Sequence, residues 1–487
     1  MHREPVAVAT AILRNSAALM LVGLLAKGMG LVLAVLIARF LGPAAMGLFA
    51  LLFSIALLVE YVAPLGMQDI LVRDVAARPH ERARLWMRGA KLAVGASLVP
   101  AAGFLVAAWV FRDQATVRAC LLALAAGIPC SALALVGQAV LQGMEKVLYL
   151  TWTSFLTRVA SLVALVAMLL QGMDVEAAFI SRALFQASSA ALFAWKILHD
   201  SPRAPDPAPL GLGLRRALPF AISRVVTEST TRAPLLLLPI LFALAEIGIF
   251  DAADRIRLTL GIMVAVATTA IMPAFARSFA GQRDDREALV SFSVKYVCLL
   301  LCGAALLISS LADLIVQLLY GPKFSRSGIL LQVLIWAQVL VATDAVLKQA
   351  MIANRREYAV VIRALVGLAC LAALVVGLGQ AFGLVGAAAG VVASAAITLT
   401  LDARFVASQV LRFDTARFLL KPLGCALPGG VVLLLLDGAS PLLRLGAAFG
   451  TFALAAGLTG LLPKPERAFL RDALRHGLGH VNPRISK

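Results

Sequence analysis

Charge is what this sequence has least of. Asp, Glu, Lys and Arg make up 14% of its 487 residues, while 61% are hydrophobic. A soluble domain carries about a quarter charged residues, so too little charge remains to solvate a globular surface, and a soluble fold is excluded. Alternation of apolar and polar residues at period two is missing, which excludes a transmembrane barrel. Cysteine is scarce: Cys120, Cys130, Cys298, Cys302, Cys370 and Cys425 fall almost entirely inside apolar runs. Cys298 and Cys302 have no His or carboxylate nearby, so these thiols read as small hydrophobes at helix interfaces rather than a metal site or disulfide framework. No nucleotide-binding loop, catalytic carboxylate pair or nucleophile arrangement occurs, and the loops are too short to hold a catalytic domain. Neither an enzyme nor a cofactor or metal is expected. The first residues, MHREPVAVATAILRNS, lack a short separate apolar core and a small-residue cleavage site, so the first span is expected to be retained.

What the chain has instead is apolar runs of about 20 residues, the length that crosses a bilayer as helix. They predict an all-α polytopic membrane protein with fourteen spans: 14–38, 45–68, 90–111, 117–142, 151–170, 177–198, 215–243, 246–275, 290–319, 328–353, 358–379, 384–409, 416–437 and 441–463. The net charge of +18 comes from short loops between the runs, which makes topology rather than nucleic-acid binding its explanation. With the N-terminus inside, cytoplasmic segments hold 28 Lys and Arg. The other side holds six: Arg39, Arg112, Arg118, Lys323, Arg326 and Arg444. That asymmetry predicts that both termini lie in the cytoplasm.

The Pro-rich stretch 199–213 divides the chain into a six-helix half at 1–198 and another at 214–410, followed by two extra spans within 411–463 and a tail at 464–487. The halves echo each other. QAVLQGMEK at 138–146 aligns with QAMIANRRE at 349–357, and AMGLF at 45–49 with EIGIF at 246–250. An even number of spans in each half gives the repeats the same orientation, related by an axis along the membrane normal. Such paired bundles suit alternating access. In the tail, ERAFLRDALRHGL at 466–478 has the pattern of an interfacial amphipathic helix. Pro64, Pro129, Pro219, Pro234, Pro239 and Pro273 lie within or at the ends of spans, where bends are accommodated. The two extra spans are read as holding no buried charge, so they are expected to face lipid or dock the tail.

One apolar run breaks the pattern. In LRRALPFAISRVVTESTTRAPLLLLPI (214–240), Arg224, Glu228 and Arg232 recur every four residues, on one helical face. Charges in hydrocarbon cost several kcal/mol each and normally face a cavity, a partner charge or a polar ligand. This helix therefore reads as one wall of a polar chamber.

Four segments in order carry a family likeness: ARFLGPAAMG (38–47), LVRDVA (71–76), QGMEK (142–146) and LYGPKF (319–324). They resemble turns and span exits of the polysaccharide and lipid-linked oligosaccharide flippases of the multidrug/oligosaccharidyl-lipid/polysaccharide exporter superfamily. Met46 departs from the bulkier or aromatic residue common at its place. The resemblance implies export of an undecaprenyl-pyrophosphate-linked oligosaccharide to the periplasmic leaflet, for O-antigen, capsule or exopolysaccharide assembly. Membrane lipids and a polysaccharide polymerase machinery are the implied partners; nucleic acid is not.

A pyrophosphate crossing hydrocarbon needs fixed donors, and Arg serves it best because its planar fork stays charged when desolvated. The candidate substrate-binding residues are Arg224, Arg232, Lys27, Arg255, Arg257 and Lys348. Arg224 and Arg257 could instead snorkel or pair with Glu228, Asp251 or Asp254. Arg158, Arg182, Lys295 and Arg363 lie nearer span ends, where headgroup contact explains them. Glu60, deep in the second span with no local partner, Glu228, and Asp344, four residues before Lys348, are candidates for ion coupling. The rival functions are a peptidoglycan lipid-precursor flippase, a drug/cation antiporter of the same superfamily, and a polysaccharide polymerase or ligase, which needs a larger external loop than this chain has.

Overall fold

Each of the fourteen expected spans carries a helix in the computed structural model of the protein, which describes residues 28–62, 66–200, 214–280, 284–411, 414, 416–436 and 438–461. No strand occurs among the described residues. The helices are α1 (Gly28–Leu41), then α2 (Pro43–Val62), α3 (Met67–Ala77), α4 (Arg82–Val110), α5 (Ala115–Gly143), α6 (Val147–Leu170) and α7 (Glu176–Asp200). After the Pro-rich stretch come α8 (Leu214–Leu237), α9 (Leu244–Ala280), α10 (Asp284–Ser310), α11 (Ala312–Tyr320) and α12 (Ser327–Ala353). Last are α13 (Glu357–Phe405), α14 (Lys421–Leu435) and α15 (Pro441–Leu458). Among the described residues nine helical stretches are long and apolar enough to cross a membrane, and the protein is a multi-pass membrane protein. Lys27, Pro64, the linker beyond Asp200 and the amphipathic tail lie outside the described residues.

Two departures from the expected spans have local causes. The second span ends at Val62 rather than at 68, and a separate helix, α3, begins after Gly66, which has the left-handed φ of 69°. The basic segment expected as a loop at 69–89 is therefore helical, with α4 already under way at Arg82. The run at 290–319 is likewise two helices, α10 and α11, broken at Leu311. The helical stretch α13 covers 49 residues, about 74 Å if it were one straight rod against a hydrocarbon core of about 30 Å, but it is two helices joined at a kink. Gly383, at φ 66° and ψ −151°, reverses it. A Cβ on Gly386 would sit 2.0 Å from the Leu378 carbonyl oxygen, so the two arms fold back on each other as two crossings.

The described helices sort into two compact units. The first takes in the chain up to Ile262 together with Val316–Leu330 and Val361–Ser394; the second comprises Met263–Ile315, Leu331–Val360 and the chain from Ala395 onward. Within the first, α3, α4, α5 and α7 share a core built on Leu71, Leu85, Ala93, Val136, Leu141 and Phe193. Lipid removes most of the hydrophobic driving force between membrane helices, so close packing at small residues takes over. A Cβ on Gly137 would sit 2.8 Å from Phe193 Cβ, and one on Gly89 would sit 3.0 Å from Leu71 Cδ1.

The tightest glycine approach in this unit joins α2 and α9. A Cβ on Gly47 would fall 1.8 Å from the Leu244 carbonyl oxygen, and one on Gly248 would fall 2.0 Å from that of Pro43. The contact is reciprocal, residue for residue, as a local two-fold axis requires. The same neighbourhood holds two of the family-like turns together: Arg39 donates through Nε to the Leu319 carbonyl at 2.8 Å and through Nη2 to that of Leu318. Ser327 Oγ donates to the Ile249 carbonyl at 2.7 Å.

In the second unit α14 and α15 pack on α10. Leu306, Leu433 and Ala448 form one cluster with Trp336 and Phe452 against it, and Cys425, Ala456 and Leu461 form another. The extra spans thus contribute to a protein core, and they do carry a buried charge. Arg444, expected in a loop, is 5% exposed in the first turn of α15 and lies 3.6 Å from Asp313 of α11. All six cysteines are free, and no cluster suited to a metal occurs among the described residues.

Candidate functional site

The first unit concentrates polar side chains from four helices around one aromatic ring. On α2, Phe49, Phe53 and Glu60 recur at spacings of four and seven, so they share a face. α7 contributes Phe179, Arg182 and Gln186, α8 contributes Glu228 and Arg232, and α9 contributes Asp251, Asp254 and Arg255. Phe49 stacks on Phe53 at 5.2 Å between centroids and meets Phe179 at 5.4 Å, which sets the Phe53 ring in place.

Three guanidiniums surround that ring. The central carbon of Arg182 lies 4.6 Å from its centroid, that of Arg255 5.5 Å and that of Arg232 5.8 Å. Two of the three also have a carboxylate. Arg182 Nη2 donates to Glu60 Oε2 at 2.5 Å, and Gln186 Nε2 donates to Glu60 Oε1 at 2.6 Å. Arg255 Nε donates to Asp251 Oδ2 at 2.6 Å. Arg232 has no such partner: among the described residues no carboxylate lies within ion-pair distance of it, Glu228 one turn away included.

Each of the three guanidiniums keeps a buried donor without a hydrogen bond: Arg182 Nε, Arg232 Nε and Arg255 Nη2. On the acceptor side Asp251 Oδ1 and Asp254 Oδ2 are likewise unmet. Unmet buried donors on charged groups are costly. Their convergence from three helices describes a site that an acceptor with several oxygens would complete.

The structure brings together some of the residues that the sequence singled out and separates others. Arg232 and Arg255 share the ring of Phe53. Arg257 sits at 5% exposure with Nε 2.7 Å from Asp254 Oδ1. Lys348 and Asp344 belong to the second unit, where Lys348 Nζ lies 2.6 Å from Asp344 Oδ2 and 3.9 Å from Asp402 Oδ2. The Arg224 side chain and Lys27 lie outside what is described. Glu60, which lacks a local partner in the sequence, has two partners from α7. Arg182, expected near a headgroup, is instead its buried counter-ion, and Arg158 lies 4.5 Å from the Phe185 ring. Phe53 and Gln186 escaped sequence reading; the spacing of four between Arg182 and Gln186 was the one available signal.

Against protein families, the model described as polysaccharide biosynthesis protein matches residues 12–279, a span that holds all four helices around Phe53. The chain belongs to the polysaccharide biosynthesis protein family. Comparison with curated protein sequences gives no match. Among solved structures, this family member is similar to the lipid II flippase MurJ in its inward closed conformation, with TM-score 0.70 and 12% identity over 92% of this chain and 99% of that one. It is similar to an inward-facing multidrug resistance MATE transporter of the MOP superfamily, with TM-score 0.63 and 16% identity over 80% and 96%. A MOP superfamily transporter from Pyrococcus furiosus aligns with TM-score 0.59 and 15% identity over 82% and 95%. At these identities the likeness is one of fold, and that fold is the all-α, polytopic kind expected from the sequence.

Proposed function

We propose that this protein is a flippase that carries an undecaprenyl-pyrophosphate-linked oligosaccharide from the cytoplasmic to the periplasmic leaflet of a bacterial inner membrane, for O-antigen, capsule or exopolysaccharide assembly. It is a transporter without a catalytic step. Both termini face the cytoplasm, and the halves at 1–198 and 214–410 alternate access to a shared polar chamber. Its product passes to a polysaccharide polymerase machinery.

The observation that carries this reading is Arg232. Arg182 and Arg255 are each paired with a carboxylate, whereas among the described residues Arg232 has none within ion-pair distance and lies 5.8 Å from the Phe53 ring, with its Nε buried and unmet. Leaving a cation in that position costs several kcal/mol, and a visiting phosphate offsets the cost through paired charge-assisted hydrogen bonds. The three donors around Phe53 suit the several oxygens of a pyrophosphate, and membership of the polysaccharide biosynthesis family supports a saccharide on the other side of it. Three guanidiniums gathered around one ring speak against a cationic drug as substrate.

Replacing Arg232 with Ala is expected to abolish surface polysaccharide while leaving the protein inserted at normal abundance. Arg232→Lys, which keeps the charge and loses the fork, is expected to restore only a minor part. Undiminished export by the Ala variant overturns the assignment.

A further inference from the structure

We propose that Phe53 is a positioning residue of this site: its ring holds the guanidiniums of Arg182, Arg232 and Arg255 as one array and thereby sets the preference for a diphosphate over a monophosphate headgroup. The inference rests on the reading of Arg232 as a pyrophosphate-binding group.

Three cations brought from α7, α8 and α9 to within 6 Å of one point repel one another. Glu60 and Asp251 compensate two of them. Arg232, which has no carboxylate within ion-pair distance among the described residues, lies over the face of the Phe53 ring at 5.8 Å, and Arg182 at 4.6 Å and Arg255 at 5.5 Å share that ring. A guanidinium over an aromatic face is attracted by the ring quadrupole, more so when desolvated. An aliphatic side chain would fill the same space without that field. Phe53 is itself fixed by Phe49, over whose ring Arg255 also lies at 5.1 Å. Its ring is therefore a stationary support rather than a mobile filler.

The array matters for what binds. A monophosphate can satisfy one fork, whereas two linked phosphates carry enough oxygens to engage forks arriving from different helices. Spacing between the forks therefore acts on the diphosphate and much less on the monophosphate. Phe53 touches the guanidiniums and acts through them.

The test replaces Phe53 with phenylalanines carrying one, two or three ring fluorines, which keep the shape and progressively cancel the quadrupole, and adds Phe53→Leu. Affinities for a polyprenyl pyrophosphate and a polyprenyl monophosphate are measured on the purified full-length protein in detergent, with Arg232→Ala as control. The expected result is a stepwise loss of diphosphate affinity along the fluorine series, reaching about tenfold at the third, with monophosphate affinity nearly constant. Phe53→Leu is expected to match the trifluoro protein. Fluorinated proteins that bind both lipids like the parent, while Arg232→Ala loses the diphosphate, overturn the role of Phe53 and leave the functional reading standing. Equal diphosphate binding by the parent and Arg232→Ala overturns the functional reading, and this inference with it.

Discussion

Gly47 of α2 and Gly248 of α9 touch backbone to backbone. A Cβ on either would overlap a carbonyl oxygen of the other helix, at 1.8 Å and 2.0 Å respectively. In the proposed cycle this contact closes one end of the chamber and has to part. Gly47→Ala or Gly248→Ala is expected to weaken it by about 1–3 kcal/mol, the usual effect of overpacking, and to favour the parted state. Spin labels at the starts of α2 and α9 are expected to report a longer distance in either variant than in the parent. Unchanged distances would show that the contact takes no part in the movement.

Glu60 and Arg182 form a buried pair whose partners stabilise each other's charge. Glu60→Gln leaves Arg182 uncompensated and is expected to destabilise the protein by about 3 kcal/mol. Removing both charges, as Glu60→Gln with Arg182→Met, is expected to recover much of that loss. Thermal unfolding in detergent checks the sign: a double variant as weak as the sum of the singles contradicts the pairing.

In the second unit Lys348 stands between two nearly inaccessible carboxylates, Asp344 at 4% and Asp402 at 0% exposure. Lys348→Met is expected to lower stability by about 3 kcal/mol, because both carboxylates lose the same ammonium. Adding Asp344→Asn is expected to restore part of it. Melting curves of the two proteins decide the matter.

Arg39 links two turns far apart in the sequence by donating to the carbonyls of Leu318 and Leu319. Arg39→Ala is expected to cost about 1 kcal/mol, as an exposed hydrogen-bonded fork should. Arg39→Lys is expected to behave similarly, since an ammonium lacks the planar fork. Amide hydrogen exchange in α11 and the turn to α12 is expected to accelerate in both.

The multi-pass, helical character was legible because it rests on a local, additive signal: runs of about 20 apolar residues. The alignment of AMGLF with EIGIF puts Gly47 and Gly248 at equal offsets, and the structure brings those two glycines together. Breaks such as Gly66 and Leu311 were missed because hydropathy stays high through a bend. The site was half legible. Arg232 and Arg255 announce themselves as charges in apolar runs. Phe53 does not, since an aromatic in an apolar helix looks like core. Glu60 lies 122 residues from Arg182, so no local pattern could pair them.

The central claim is that Arg232 holds a pyrophosphate-linked lipid, and native mass spectrometry of the protein purified from its own membrane tests it most directly. The parent protein is expected to retain a polyprenyl-pyrophosphate saccharide as a bound mass, and Arg232→Ala, equally folded, to have lost it. A parent that carries only a small cationic molecule, or a variant that keeps the lipid undiminished, contradicts the account.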